Sequence, residues 1–154
     1  MIEKPQIAEL AATPTAFIHV TVAREQMPEV FGPAVQELVG TLTQQGVAIN
    51  GPLFAHHLAM NPQTFDFEVG FPVANAVVPA GRVAAGKRPA VRVARTVYQG
   101  PYDGLPDAWG QFHDWVENSG LDWASDIWEC YLVGPESESD PANWRTELNR
   151  PLNG

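Results

Sequence analysis

Alternation along the strand-like run 127–133, Ile-Trp-Glu-Cys-Tyr-Leu-Val, puts Ile127, Glu129, Tyr131 and Val133 on one face and Trp128, Cys130 and Leu132 on the other. A carboxylate and a phenol therefore sit side by side among apolar neighbours. The bland reading is an exposed strand glutamate. In an apolar hollow, however, a carboxylate bears a desolvation cost that a cation or a hydrogen-bond donor must offset. Two kinds of chemistry use that situation. The acid can select lipophilic cations, with aromatic walls adding about 0.5–2 kcal/mol each through cation–π attraction. Alternatively, it can serve as a general acid or base. Spacing alone leaves both open.

An internal repeat singles out this acid. Residues 51–58 align with 125–132 at an offset of 74, which the helix-ending Gly46 and Gly120 share, and Glu129 falls opposite Ala55. Residues 65–73 align with 144–152 at an offset of 79, so five residues are added in the loop 134–140. A duplicated unit is the economical explanation. Duplication implies a pseudo-two-fold cleft between the halves, with the acid on one wall only. The counterpart of Tyr131 is His57.

The elements that must position these residues follow from periodicity. The β-branched run 15–22 reads as a buried strand, and Val30, Phe31, Ala34, Val35, Leu38, Val39 and Leu42 mark a helix over 24–45 with Pro28 in its first turn and Gly46 at its end. Strands at 53–60 and 65–71 flank the turn Asn61-Pro62-Gln63. A connector, 74–87, carries a short strand at 81–84. The pattern then restarts: a strand at 90–98, a helix over 105–119 presenting Leu105, Ala108, Trp109, Phe112, Trp115 and Val116, and strands at 127–133 and 144–151. The predicted class is α+β: one domain made of two β-α-β-β repeats, about 10–73 and 88–152, forming an antiparallel sheet. Both helices are expected on one sheet face, leaving the other to the cleft.

Other chemistry-bearing residues are weaker candidates. Gly100-Pro101 turns the chain between strand and helix, and Asp103 is placed to cap the helix start, so Tyr98 and Tyr102 fall at the sheet–helix junction within reach of a cleft. Trp109, one turn into the helix, is either core or the cleft floor. His56 and His57 are adjacent on a strand and point to opposite faces, which prevents them from chelating one ion, and no metal site is expected. No nucleophile elbow or glycine-rich phosphate loop is present, and no cofactor is expected. Cys130 reads as a small core hydrophobe.

Charge excludes a nucleic-acid partner: with 9 basic and 18 acidic side chains the net charge is −9, and Lys87-Arg88, Arg92 and Arg95 form no basic patch. A single cysteine rules out an internal disulfide and fits a reducing compartment. The first residues, Met-Ile-Glu-Lys-Pro, do not read as a signal peptide, and no apolar run approaches the roughly 20 residues of a membrane span. The expected location is the cytoplasm.

Segments 98–115, 128–132 and 140–152 resemble the GyrI-like small-molecule-binding family, and 51–55 with 65–73 resemble its first half. The resemblance implies a duplicated fold with a central ligand cleft, found alone or as the effector-sensing part of multidrug-responsive transcription regulators. It also implies that Glu129 is the ligand-binding acid, with Tyr131 beside it. His57 departs from the family pattern, where an aromatic residue, often tyrosine, is expected. Members have been linked to binding gyrase and to hydrolysing cyclopropane-bearing genotoxins. With no helix-turn-helix pattern in the sequence, the expectation is a stand-alone module, not an enzyme, that senses or sequesters aromatic, cationic lipophilic compounds through Glu129, Tyr131, Tyr98, Trp109 and His57. The alternatives are a hydrolase using Glu129 and an acidic gyrase inhibitor.

Overall fold

The computed structural model describes residues 2–60, 63–134 and 137–153, so Asn61 and Pro62 of the first expected turn lie outside it. Eight strands and two helices follow one another as β1 (Gln6–Leu10), β2 (Thr13–Ala23), α1 (Met27–Gln45), β3 (Phe54–Met60), β4 (Thr64–Pro72), β5 (Ala84–Arg88), β6 (Val91–Gln99), α2 (Leu105–Asn118), β7 (Ile127–Val133) and β8 (Arg145–Pro151). Single turns of 3-10 helix precede α1 at Arg24–Gln26, α2 at Tyr102–Gly104 and β8 at Pro141–Asn143. Every strand pairing described below is antiparallel, and the class is α+β.

The chain divides into two compact units, Ala11–Ala90 and Met1–Leu10 with Val91–Gly154. In the first, the strand order is β3-β4-β2-β5. Cross-strand pairs Ile18↔Val69 and Ala55↔Val69 place fully buried apolar residues on the face that α1 covers, with Phe31 of α1 stacked on Phe67 at 6.4 Å. Burial of Ala34, Leu38 and Leu42 on one stripe explains why this stretch is a helix, and Gly46 ends it with φ 67°, a left-handed conformation that glycine adopts without strain.

The second unit has the order β1-β6-β8-β7. Its core is Ala94, Tyr98, Ala108, Phe112, Val116, Leu148 and Leu152, joining β6 and β8 to the inner stripe of α2. Strand β1 precedes β2 in the chain but pairs with β6, while β5 precedes β6 but pairs with β2. Each unit thus completes its sheet with the strand that introduces the other unit's first long strand. Strand β1 is absent from the sequence-based prediction, and the connector strand lies at 84–88 instead of 81–84.

The two units share a local irregularity. The register shifts between His57 and Ala59 in β3 and between Tyr131 and Val133 in β7, so Leu58 and Leu132, equivalent in the repeat, are each an extra residue. Such a bulge bends and twists its strand. It also corrects the expected face of Val133: Tyr131 pairs with Thr146 and Val133 with the adjacent Arg145, so the bulge moves Val133 off the face of Tyr131.

Candidate functional site

Glu129 is held at the centre of β7 by its pairing with Leu148, which in turn pairs with Thr96 of β6. Leu148 is fully buried in the core beneath α2. Glu129 therefore lies on the helix-covered side of its sheet, not on the helix-free side that the sequence reading assigned to the ligand. The reason is the one-residue parity of the β7–β8 register, which strand alternation alone does not fix. Only 8 % of Glu129 is exposed.

Both carboxylate oxygens accept from polar aromatic side chains. The indole N–H of Trp109 donates to Oε2 at 2.7 Å, and the hydroxyl of Tyr131 donates to Oε1 at 2.8 Å. An ionised carboxylate accepts only, so two donors, one on each oxygen, match that form. Burial, the negative charge of Glu129 and the hydrogen bond to it together push the Tyr131 phenol well above its usual value of 10.0. The phenol thus remains a donor across the physiological pH range.

The strand brings Glu129 and Tyr131 together, and α2 brings Trp109 to them. Leu105, Ala108, Phe112 and Val116 direct α2 into the core, with Trp109 on the flank of that stripe and its ring 5.8 Å from Phe112. From β8, the Arg150 guanidinium carbon stands 5.9 Å from the centroid of the Trp109 ring. Its Nη1 donates to the carbonyls of Ala124 at 3.1 Å and Ser125 at 3.5 Å. Burial lowers the pKa of this guanidinium and Asp126 raises it.

Two further aromatics extend from Tyr131 in series. Tyr102 lies 5.8 Å from Tyr131, edge to face, and 4.8 Å from Trp144. Trp144 is anchored by its indole N–H on the carbonyl of Glu138 at 2.8 Å, within the loop lengthened in the second repeat; Pro135 and Glu136 of that loop lie outside the described residues. Asp140 accepts from the N–H of Ala142 at 3.1 Å, starting the 3-10 turn that ends at Trp144.

Tyr98 does not join this cluster. It is buried in the α2 core and its hydroxyl donates to the carbonyl of Pro101 at 2.9 Å. Gly104 and Gly100 leave the space that this hydroxyl fills: a Cβ at Gly104 would fall on it, and one at Gly100 would meet it at 2.7 Å. Tyr98 thus shapes the loop that carries Tyr102. His57 belongs to the other unit, where it is buried against Phe65 and Phe67 at 5.6 and 5.5 Å. Among the sequence-based candidates, Tyr131 and Trp109 both meet Glu129, one at each carboxylate oxygen. Arg150 and Trp144 carry no local sequence signal for this site, because their approach depends on tertiary packing. Among the described residues, no group of three or more His, Cys, Asp or Glu side chains could hold a metal ion, and no helix is long and apolar enough to cross a membrane.

No protein of curated function matches the chain. Among solved structures, the EcmrR C-terminal domain has a TM-score of 0.86 with 21 % identity over 97 % of both chains. EcmrR in its DNA complex in EcmrR-RPo gives 0.85 at 20 % identity; the match covers 97 % of this chain and 57 % of that one, so this chain spans little more than half of that relative's length. SAV2435 bound to tetraphenylphosphonium gives 0.73 at 12 % identity, covering 99 % of this chain and 95 % of that one. At these identities the likenesses speak to fold. The model of the GyrI-like small molecule binding domain matches residues 3–152. That match spans nearly the whole sequence, and the chain belongs to the GyrI-like small-molecule-binding domain family.

Proposed function

We propose that this domain senses or sequesters aromatic, lipophilic cations, with Glu129 as the anionic contact and Tyr131 and Trp109 as the groups that orient it. The observation that carries this reading is a carboxylate only 8 % exposed whose two oxygens both accept from polar aromatics. A cation reaching such a group meets it in a medium where charge attraction is several-fold stronger than in water. Tyr131, Tyr102 and Trp144 add ring faces and edges alongside. Aromatic surface suits a ligand whose positive charge is spread over rings, since little hydration is lost on burial. That SAV2435 was solved with tetraphenylphosphonium supports the same ligand class. On this reading the domain works in the cytoplasm, and its direct partner is the small molecule.

Five tryptophans make intrinsic fluorescence a direct reporter. Tetraphenylphosphonium and the neutral triphenylphosphine oxide are titrated into the wild type and Glu129→Gln. The expected result is a loss of cation affinity of about tenfold, the equivalent of about 1.4 kcal/mol, with little change for the oxide. Equal losses for both ligands would remove the charge-based reading.

A further inference from the structure

Trp109 carries opposite charges on its two electrostatically distinct surfaces. Its N–H edge meets the Glu129 carboxylate at 2.7 Å, and the Arg150 guanidinium carbon stands 5.9 Å from its ring centroid. An indole has a negative face and a positive edge, so cation and anion each occupy the side that attracts them. Each also polarises the ring toward the other. Arg150 and Glu129 are in effect an ion pair with an indole between them.

The guanidinium is not free to follow the ring. Its Nη1 donates to the carbonyls of Ala124 and Ser125, in the segment leading into β7, and the charge of Asp126 favours the cation there. Arg150 pairs with Ala94 on the core face of β8, two residues from Leu148, the partner of Glu129. The ring is thus gripped from the strand that also registers the carboxylate.

We infer that Arg150 is a positioning residue that holds Trp109 on Glu129 and so selects which cations the site accepts. This inference rests on reading Glu129 as the ligand's anionic contact. An incoming cation needs an aromatic face and a carboxylate, the two partners that Arg150 and the Trp109 N–H already engage. Only a ligand that brings apolar surface together with diffuse charge can replace both contacts. A small, strongly hydrated ammonium ion loses its hydration without matching them. The selected class is therefore delocalised, ring-bearing cations, and Arg150 sets the threshold.

Arg150→Gln keeps a polar N–H group and removes the charge; Arg150→Met keeps the stem; Arg150→Lys keeps the charge. Each is titrated with tetraphenylphosphonium, tetramethylammonium and triphenylphosphine oxide, with the fold checked by circular dichroism. Arg150→Gln is expected to tighten tetraphenylphosphonium about two- to fivefold, the size of one cation–π contact, and to narrow its margin over tetramethylammonium. The oxide should bind unchanged, and Arg150→Lys should stay near the wild type. The Trp109 indole proton, assigned by its loss in Trp109→Phe, should move upfield in Arg150→Gln as its bond to Glu129 loosens. If Arg150→Gln weakens all three ligands together, or if Lys fails to restore wild-type behaviour, Arg150 is merely structural and the inference falls. Should Arg150→Gln not fold, Arg150→Met is read by the same criteria. If Glu129→Gln discriminates charge while Arg150→Gln and Arg150→Met change nothing, this inference fails alone. If Glu129→Gln does not discriminate, the parent reading fails first.

Discussion

Trp109 and Glu129, twenty residues apart on a helix and a strand, are joined by an N–H···O bond of 2.7 Å that ties α2 to β7. Hydrogen bonds to charged groups contribute about 1.5–3 kcal/mol net, more than neutral ones. Trp109→Phe keeps a ring in place and deletes the donor, so it should lower stability by about 1–3 kcal/mol. The loss should shrink once the acceptor charge is gone. A double-mutant cycle with Glu129→Gln, followed by urea unfolding, is expected to show a coupling of about 1 kcal/mol or more between the sites. Additive losses would mean that the contact contributes packing only.

Tyr131 gives the fold an alkaline limit. Its phenol is pushed well above 10.0, first by burial and then by the charge of Glu129 and the bond to it. The unfolded chain releases that proton near pH 10, whereas the native state retains it to higher pH. Between these points the native state binds more protons, so stability is independent of this group's titration below about pH 10 and falls as pH rises above it. Absorbance at 295 nm should show one of the three tyrosines ionising late or only with unfolding. Tyr131→Phe should flatten the alkaline slope; an unchanged slope would assign it elsewhere.

The sequence made one part of this site legible and hid another, for identifiable reasons. Alternation in 127–133 paired Glu129 with Tyr131, because residues two apart on a strand share a face whatever surrounds them. Helical spacing found α2 and placed Trp109 on it. Alternation does not say which side of the sheet the acid occupies, since that parity depends on the Glu129↔Leu148 register. The bulge at Leu132 was equally invisible. Strand β1 was missed because Gln6–Leu10 is a short edge strand with only intermittent burial, and β5 drifted because Ala84–Arg88 has small and charged residues with no apolar alternation. Arg150 over Trp109 and Trp144 beside Tyr102 are contacts between elements distant in sequence, which local patterns do not encode.

Tyr98 tests whether the loop before α2 is shaped by a core side chain beneath it. Its hydroxyl occupies the space above Gly104 and Gly100 and donates to the Pro101 carbonyl at 2.9 Å. Gly104 has φ −86°, a backbone conformation open to any residue, so replacing it incurs a steric cost and no conformational one. Gly104→Ala should therefore destabilise the protein by about 1–3 kcal/mol through overpacking alone. Tyr98→Phe, which deletes the clashing oxygen, should recover part of that loss in the double variant, although the ring carbon at 2.9 Å keeps some of the crowding. Because Tyr102 rides on the same turn, Gly104→Ala should also weaken tetraphenylphosphonium binding more than thermal destabilisation explains. The check is a thermal melt and a fluorescence titration on the same four proteins. An alanine at position 104 that melts with the wild type would show that the close approach to Tyr98 relaxes without cost, and the loop would then owe its shape to Gly100-Pro101.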